Sequence, residues 1–145
     1  MKGYLGIDFG LARIGLAISE TGQMARPLAV IKNKGDKKNL AAISETINKY
    51  WGGLEDRLPH IVLGLPCLAD GAESDMAREV RRFGEMLIRN LGVEVFFQNE
   101  YLTSVEATDY VREHMPKRTP KDPIDDVAAY LILQSYITAF RRGGH

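Results

Sequence analysis

A glycine-rich segment near the N-terminus, residues 5–18, constrains the fold of this 145-residue chain more than any other stretch. Two runs of apolar residues flank a short turn bounded by glycines, a pattern that predicts a β-hairpin. Because alternate side chains of a strand point to opposite faces, Leu5 and Ile7 should lie on one face and Asp8 on the other. We therefore expect a carboxylate at the tip of an apolar strand, beside glycines that let another group approach the backbone closely.

The composition is that of a globular protein and limits the possible partners. Hydrophobic residues make up 45% and charged residues 26% of the chain, and its length suits a single domain, residues 1–145, with a buried core. The sequence contains no apolar run of about eighteen residues, which is the length that would predict a membrane helix. A single cysteine, Cys67, suggests a reducing cytoplasm. The formal net charge is zero, so binding of nucleic acid would need a local basic patch.

Three further strands are predicted after the hairpin. Residues 25–31 form one, and Pro27 within it favours an edge position. The continuous apolar run of residues 61–66 is typical of a central parallel strand that is covered on both faces. A last strand begins at Val93 and ends at residues 98–100.

Apolar residues recurring at intervals of three and four predict the helices. Two amphipathic helices cover residues 40–50 and 76–91, and Thr103 opens a short third one. In the last helix, Asp122 is predicted as the N-cap and Pro123 as the first helical residue. The order of elements predicts an α/β fold with a mixed sheet and helices on both faces.

Several carboxylates are expected at one rim of this sheet. Asp8 ends the first strand, Glu100 follows the fifth, and the first turn of the last helix carries Asp125 and Asp126. Clustered carboxylates repel each other unless a cation neutralises them. Oxygen ligands of this kind suit Mg²⁺ or Mn²⁺. Two such ions can clamp the attacking water and the leaving oxygen of a phosphodiester.

Each acid also has a purely structural interpretation. Asp8 can be a turn residue that accepts local amide hydrogens. Asp125 and Asp126 favour the N-terminal end of a helix dipole in any case. Glu100 can be a solvated loop acid. The residue pattern alone leaves these interpretations open.

Four motifs resemble those of one family, in the same order and over essentially the whole chain. They are residues 5–18, residues 61–66 with Asp70-Gly71, residues 99–104, and residues 124–129 with 131–134. Together they resemble the YqgF family of bacterial RNase H-like proteins. That family is described as pre-16S rRNA processing nucleases and, earlier, as Holliday junction resolvases.

The resemblance implies an RNase H-like fold whose first strand is central in a five-stranded mixed sheet. It also implies that Asp8, Glu100 and Asp125 are the catalytic, metal-binding acids, with Asp126 as a neighbour. The chain departs from the usual motifs at Ala12 and Tyr101, two positions where the family usually carries a charge.

Basic residues near these acids are candidates for binding substrate. Arg13 shares a strand face with Gly15 and is expected to point toward the acidic rim. Lys117, Arg118 and Lys121 lie in the segment before the last helix and could contact phosphates. A solvated basic loop is the simpler alternative for these three.

The leading hypothesis is a cytoplasmic nuclease that uses Mg²⁺ or Mn²⁺, with two ions, to hydrolyse structured RNA at the 5′ end of pre-16S rRNA. One alternative is a resolvase of branched DNA, and another is a non-catalytic module that binds nucleic acid in ribosome assembly. The phosphate loop of an actin-like ATPase is a third, although that architecture needs two such domains. We expect a monomer or weak dimer with no membrane association.

Overall fold

The computed structural model describes residues 2–52, 57–66, 70, 72–100, 104–119 and 121–141. Cys67, Tyr101 and Thr103 lie outside these residues, so the predicted helix cap at Thr103 is outside the described structure. The strands are β1 (Tyr4–Phe9), β2 (Arg13–Ser19), β3 (Arg26–Lys32), β4 (His60–Pro66) and β5 (Val95–Glu100). The helices are α1 (Asp36–Trp51), α2 (Asp75–Leu91), α3 (Ser104–His114) and α4 (Asp125–Arg141).

The strands form one five-stranded mixed sheet in the order β3-β2-β1-β4-β5. β2 is antiparallel to both β1 and β3, whereas β4 is parallel to both β1 and β5. The predictions of a central first strand and of an edge position for the strand containing Pro27 are confirmed. The centre of the sheet is thus the strand that carries Asp8.

Two hydrophobic cores lie on opposite faces of the sheet. Leu5 and Ile7 of β1 pack with Ile43 of α1 and with α2 on one face. Tyr4 of β1 packs with Leu133 of α4 on the other. The predicted alternation along β1 and the predicted helices on both faces are confirmed. None of the helices in the described part of the chain is long and apolar enough to cross a membrane.

The helix α4 lies directly on the central strand because β1 has no side chain at Gly6. A Cβ atom at Gly6 would lie 2.8 Å from the Cβ of Leu133. This close approach brings the first turn of α4, where Asp125 lies, to the end of the sheet at which β1 ends.

The start of the last helix was predicted wrongly. α4 begins at Asp125, and the carbonyl oxygen of Ile124 accepts hydrogen bonds from the N–H groups of Val127 and Ala128. The carboxylate of Asp122 instead accepts the N–H of Thr119 at 2.8 Å. The Asp122 side chain therefore stabilises the turn before the helix, and Asp122 is not the N-cap of α4.

The fifth strand also differs slightly from its predicted bounds. It pairs with β4 from Val95, opposite Ile61, to Glu100, opposite Pro66. The strand therefore starts two residues after Val93, and Glu100 is its last residue. Pairing with β4 thus fixes the position of the Glu100 backbone beside the sheet.

Candidate active site at the rim of the sheet

Asp8 lies near the end of β1, on the face of the sheet that α4 covers. Its antiparallel partner is Gly15 of β2. On the other side, the pairing of Ile7 with Leu63 brings Asp8 to the level of Gly64 in β4. Asp8 is therefore flanked by a glycine on each neighbouring strand.

The two glycines allow acidic residues to lie directly over the strands beside Asp8. A Cβ atom at Gly15 would overlap the carbonyl oxygen of Asp125. A Cβ atom at Gly64 would lie 2.8 Å from Oε2 of Glu100. The fold therefore brings Asp125 to one side of Asp8 and Glu100 to the other.

Burial and mutual repulsion change the ionisation of two of these acids. Burial, and then the charge of Asp125, raises the pKa of Asp8 from 3.8 to about 6. Burial, and then the charge of Asp8, raises the pKa of Glu100 from 4.5 to about 7. Within the described residues, neither carboxylate has a hydrogen bond or an ion pair. Both are therefore poorly stabilised as anions at neutral pH.

Asp125 is held differently, by an ion pair with Arg13. Nε of Arg13 lies 2.8 Å from Oδ2 of Asp125. The Arg13 side chain is 51% exposed, so part of its guanidinium faces solvent. Arg13 points toward the acidic rim, as its position on the strand face predicts.

In the described part of the chain, the three acids do not form one metal-binding group. Among the residues that the structure describes, no three His, Cys, Asp or Glu side chains are grouped so that they could hold a metal ion. Asp8 instead interacts with Asp125 on one side and with Glu100 on the other. The arrangement is thus two acidic pairs that share Asp8.

Asp126, the neighbour of Asp125, forms a buried ion pair with Arg118. Nη1 and Nη2 of Arg118 donate to Oδ1 and Oδ2 of Asp126 at 2.8 and 2.5 Å. The Asp126 side chain is only 4% exposed, and Nη1 of Arg118 also lies 3.3 Å from the carbonyl oxygen of Pro123. This pair ties the segment before α4 to the first turn of the helix.

Comparison with known proteins identifies the family. The sequence profile of the family described as "RuvX: Holliday junction resolvase" matches residues 2–139. The chain belongs to this family. The resemblance to YqgF proteins is thereby confirmed, and membership of RuvX makes the chain one of a family of nucleases, which hydrolyse phosphodiester bonds.

Relatives of this RuvX member carry a name that specifies an RNA substrate. A protein of Anaeromyxobacter sp. (strain Fw109-5) is 38% identical over 136 residues, covering 92% of this chain and 95% of the relative. A protein of Nitrosospira multiformis is 36% identical over 135 residues, covering 91% and 85%. Both are described as "Putative pre-16S rRNA nuclease".

Solved structures confirm the RNase H-like fold predicted for this RuvX chain. Thermus thermophilus RuvC matches with a TM-score of 0.55 and 17% identity, covering 97% of this chain and 96% of the other. The same protein in complex with its Holliday junction substrate matches with a TM-score of 0.60 and 16% identity, covering 99% and 97%. At this level of identity the likeness establishes the fold alone.

The predicted basic residues of this RuvX chain occupy different surroundings. Arg13 and Lys121 line a cleft beside Asp125. Arg118 also contributes to the cleft, but its guanidinium is bound to Asp126. Lys117 is exposed and is not part of the lining. The sequence reasoning missed Arg112 of α3, which lines the same cleft and carries no motif that would identify it.

The raised pKa of Glu100 predicts how stability depends on pH. The folded protein binds this proton more tightly than the unfolded chain, so the contribution of Glu100 to stability falls as pH rises from about 4 to about 7. In EDTA at pH 8, Glu100→Gln should therefore be more stable than wild type by on the order of 2 kcal/mol. Near pH 4.5 the two proteins should differ little.

Urea denaturation at the two pH values would test this expectation. Glu85→Gln, at an exposed position of α2, is the matched control and should not change stability at either pH. Equal stability of wild type and Glu100→Gln at pH 8 would contradict the burial of this carboxylate.

Proposed function

We propose that this protein is a divalent-metal-dependent nuclease that cleaves the precursor of 16S rRNA near its 5′ end. The observation that carries the proposal is the cluster of Asp8, Glu100 and Asp125 at the rim of an RNase H-like sheet. The description of its relatives as pre-16S rRNA nucleases supports RNA as the substrate. A precursor-rRNA substrate and a single cysteine support a cytoplasmic protein.

The chemistry of the three acids suits Mg²⁺ or Mn²⁺. Two carboxylates that are partly buried, repel each other and lack a protein cation would gain most from a hard divalent ion. Asp8, with Asp125 on one side and Glu100 on the other, would contribute to both ions of a pair. Bound divalent ions would supply Lewis-acid stabilisation of the charge that develops on the attacking and leaving oxygens of the phosphodiester.

The chain's own residues would orient these acids and the substrate. Gly15 and Gly64 leave room for Asp125 and Glu100 beside Asp8. Arg13 would orient Asp125 and use its exposed edge to contact the substrate phosphate. We propose that Lys117 and Lys121 also contact phosphates. We assign Arg118 to holding the start of α4, since its guanidinium is bound to Asp126.

Resolution of Holliday junctions is the second candidate function. The family description favours it. A resolvase makes two symmetric cuts and generally works as a two-fold dimer. We propose a single domain that is a monomer or weak dimer, and a strictly monomeric protein would weaken the resolvase assignment.

A cleavage assay with two labelled substrates would test the proposal. We expect an RNA that spans the 5′ end of 16S rRNA and its precursor sequence to be cut with Mn²⁺ or Mg²⁺ and left intact with EDTA. A labelled four-way DNA junction should be cut far more slowly. Faster cutting of the junction would support the resolvase, whereas binding of RNA without cutting under any metal condition would indicate a non-catalytic assembly module.

A further inference from the structure

A cleft of about 680 Å³ opens between α3 and the segment that leads into α4. Arg13 and Asp125 lie in its lining, so the cleft begins at the carboxylate cluster. Its volume falls in the range typical of pockets that hold small organic ligands, which is large enough for a nucleotide.

The lining of this cleft combines apolar surface with charged side chains, which include the carboxylates of Asp122 and Asp125 as well as cations. Val111, Met115 and Ile124 contribute apolar groups, and Arg112 and Lys121 contribute positive charge. A nucleotide has the complementary character, because the faces of its base are apolar and its phosphate is an anion.

Of the four cations that line the described part of this cleft, Arg112 and Lys121 are not paired with a carboxylate of α4. Arg13 is paired with Asp125, and Arg118 is paired with a buried carboxylate. The Arg112 side chain is 75% exposed, and its only described ion pair is a 3.6 Å contact with Asp109 one turn away. An exposed ion pair of this kind contributes little to the free energy of folding. Arg112 can therefore leave Asp109 and bind a phosphate at little cost.

We propose that this cleft binds an unpaired nucleotide adjacent to the scissile phosphate, with the base on the apolar lining and the phosphate on Arg112 and Lys121. The inference rests on the proposed nuclease function. A duplex keeps its bases stacked inside and offers a protein mainly phosphates and groove edges. Only an unpaired strand can place a base in an apolar recess, so the cleft selects single-stranded flanks over fully paired arms.

Binding measured without cleavage would test this inference. Fluorescence anisotropy in EDTA would compare a labelled single-stranded RNA hexamer with the same sequence in a blunt duplex, from 50 to 200 mM salt. The wild-type protein should bind the single strand more tightly. Arg112→Gln and Lys121→Gln should each reduce the slope of log affinity against log salt by about 0.7 and weaken binding about fivefold at 0.1 M salt.

Two further variants separate the parts of the proposal. Met115→Gln should weaken single-strand binding about fourfold, the equivalent of one lost methylene contact, without changing the salt slope. Arg78→Gln is the matched control, because Arg78 is 80% exposed on α2, on the opposite face of the sheet. It should leave both affinity and slope unchanged.

The outcomes distinguish failure of the cleft from failure of the nuclease. No measurable binding of the hexamer, tighter binding of the duplex, or equal effects of Arg112→Gln and Arg78→Gln would each overturn the inference. Failure of the proposed function would instead appear as intact cleft binding without cleavage of either substrate with Mn²⁺, because the binding measurements do not depend on the chemical step.

Discussion

Asp8→Asn should lower the rate of phosphodiester cleavage about a thousandfold or more, because charge stabilisation by metal ions lowers the activation barrier by several kcal/mol. Asp8 interacts with both of the other acids, so its loss would weaken both proposed ion sites at once. Asparagine keeps the shape of the side chain and removes its charge.

The same substitution should stabilise the metal-free protein at pH 8. Asp8 has a raised pKa because burial and Asp125 disfavour its anion, and asparagine removes that unfavourable charge. A loss of cleavage together with a higher melting temperature in EDTA would exclude unfolding as the cause. Mn²⁺ should raise the melting temperature of wild type and have little effect on that of the variant.

Asp75→Asn is the matched control for this experiment. The Asp75 carboxylate lies on α2 and is 99% exposed, so its removal should change neither cleavage nor the response to Mn²⁺. Retention of cleavage within tenfold of wild type by Asp8→Asn would contradict the catalytic assignment. A loss of cleavage with an unchanged response to Mn²⁺ would contradict the role of Asp8 in holding metal.

Arg118→Met should reduce the free energy of unfolding by about 3–5 kcal/mol, because it leaves the Asp126 carboxylate buried without a partner. Urea denaturation would measure the loss. The double variant Arg118→Met/Asp126→Leu should recover most of it, since apolar residues can replace a buried ion pair at little cost. This recovery would show that the penalty comes from the uncompensated charge.

Arg82→Met provides a control with similar chemistry and different burial. Arg82 donates two hydrogen bonds to Asp36, at 2.8 and 3.2 Å, but both side chains are about half exposed. Breaking this exposed pair, together with the exposed contact of Arg82 with Glu79 at 3.2 Å, should cost no more than about 1 kcal/mol. Equal costs for Arg118→Met and Arg82→Met would contradict the view that burial makes the Asp126 pair important.

Much of the fold was predictable because its signals are local. Alternation along β1 separates Leu5 and Ile7 from Asp8 regardless of the rest of the chain. The same period of two places Arg13 and Gly15 on one face of β2, which is why the direction of Arg13 could be predicted. Pro27 indicated an edge strand because it cannot donate a ladder hydrogen bond.

The details of the site depend on contacts between distant segments. The approach of Glu100 to Gly64 requires the register of β5 against β4, and two strands far apart in sequence do not encode that register locally. The start of α4 was mispredicted because Asp122 can cap either the turn before it or the helix after it. Only packing of the segment selects between these two uses.

The sequence by itself determined the family, the order of the strands and helices, and the three acids expected to form the site. These follow from motifs and from hydrophobic periods that operate within a few residues. The tertiary structure alone decided that Arg118 binds a buried carboxylate and that Arg112 joins Lys121 in a cleft beside Asp125. Charge pairing and burial depend on which side chains meet across the fold, and short-range sequence patterns do not specify those meetings.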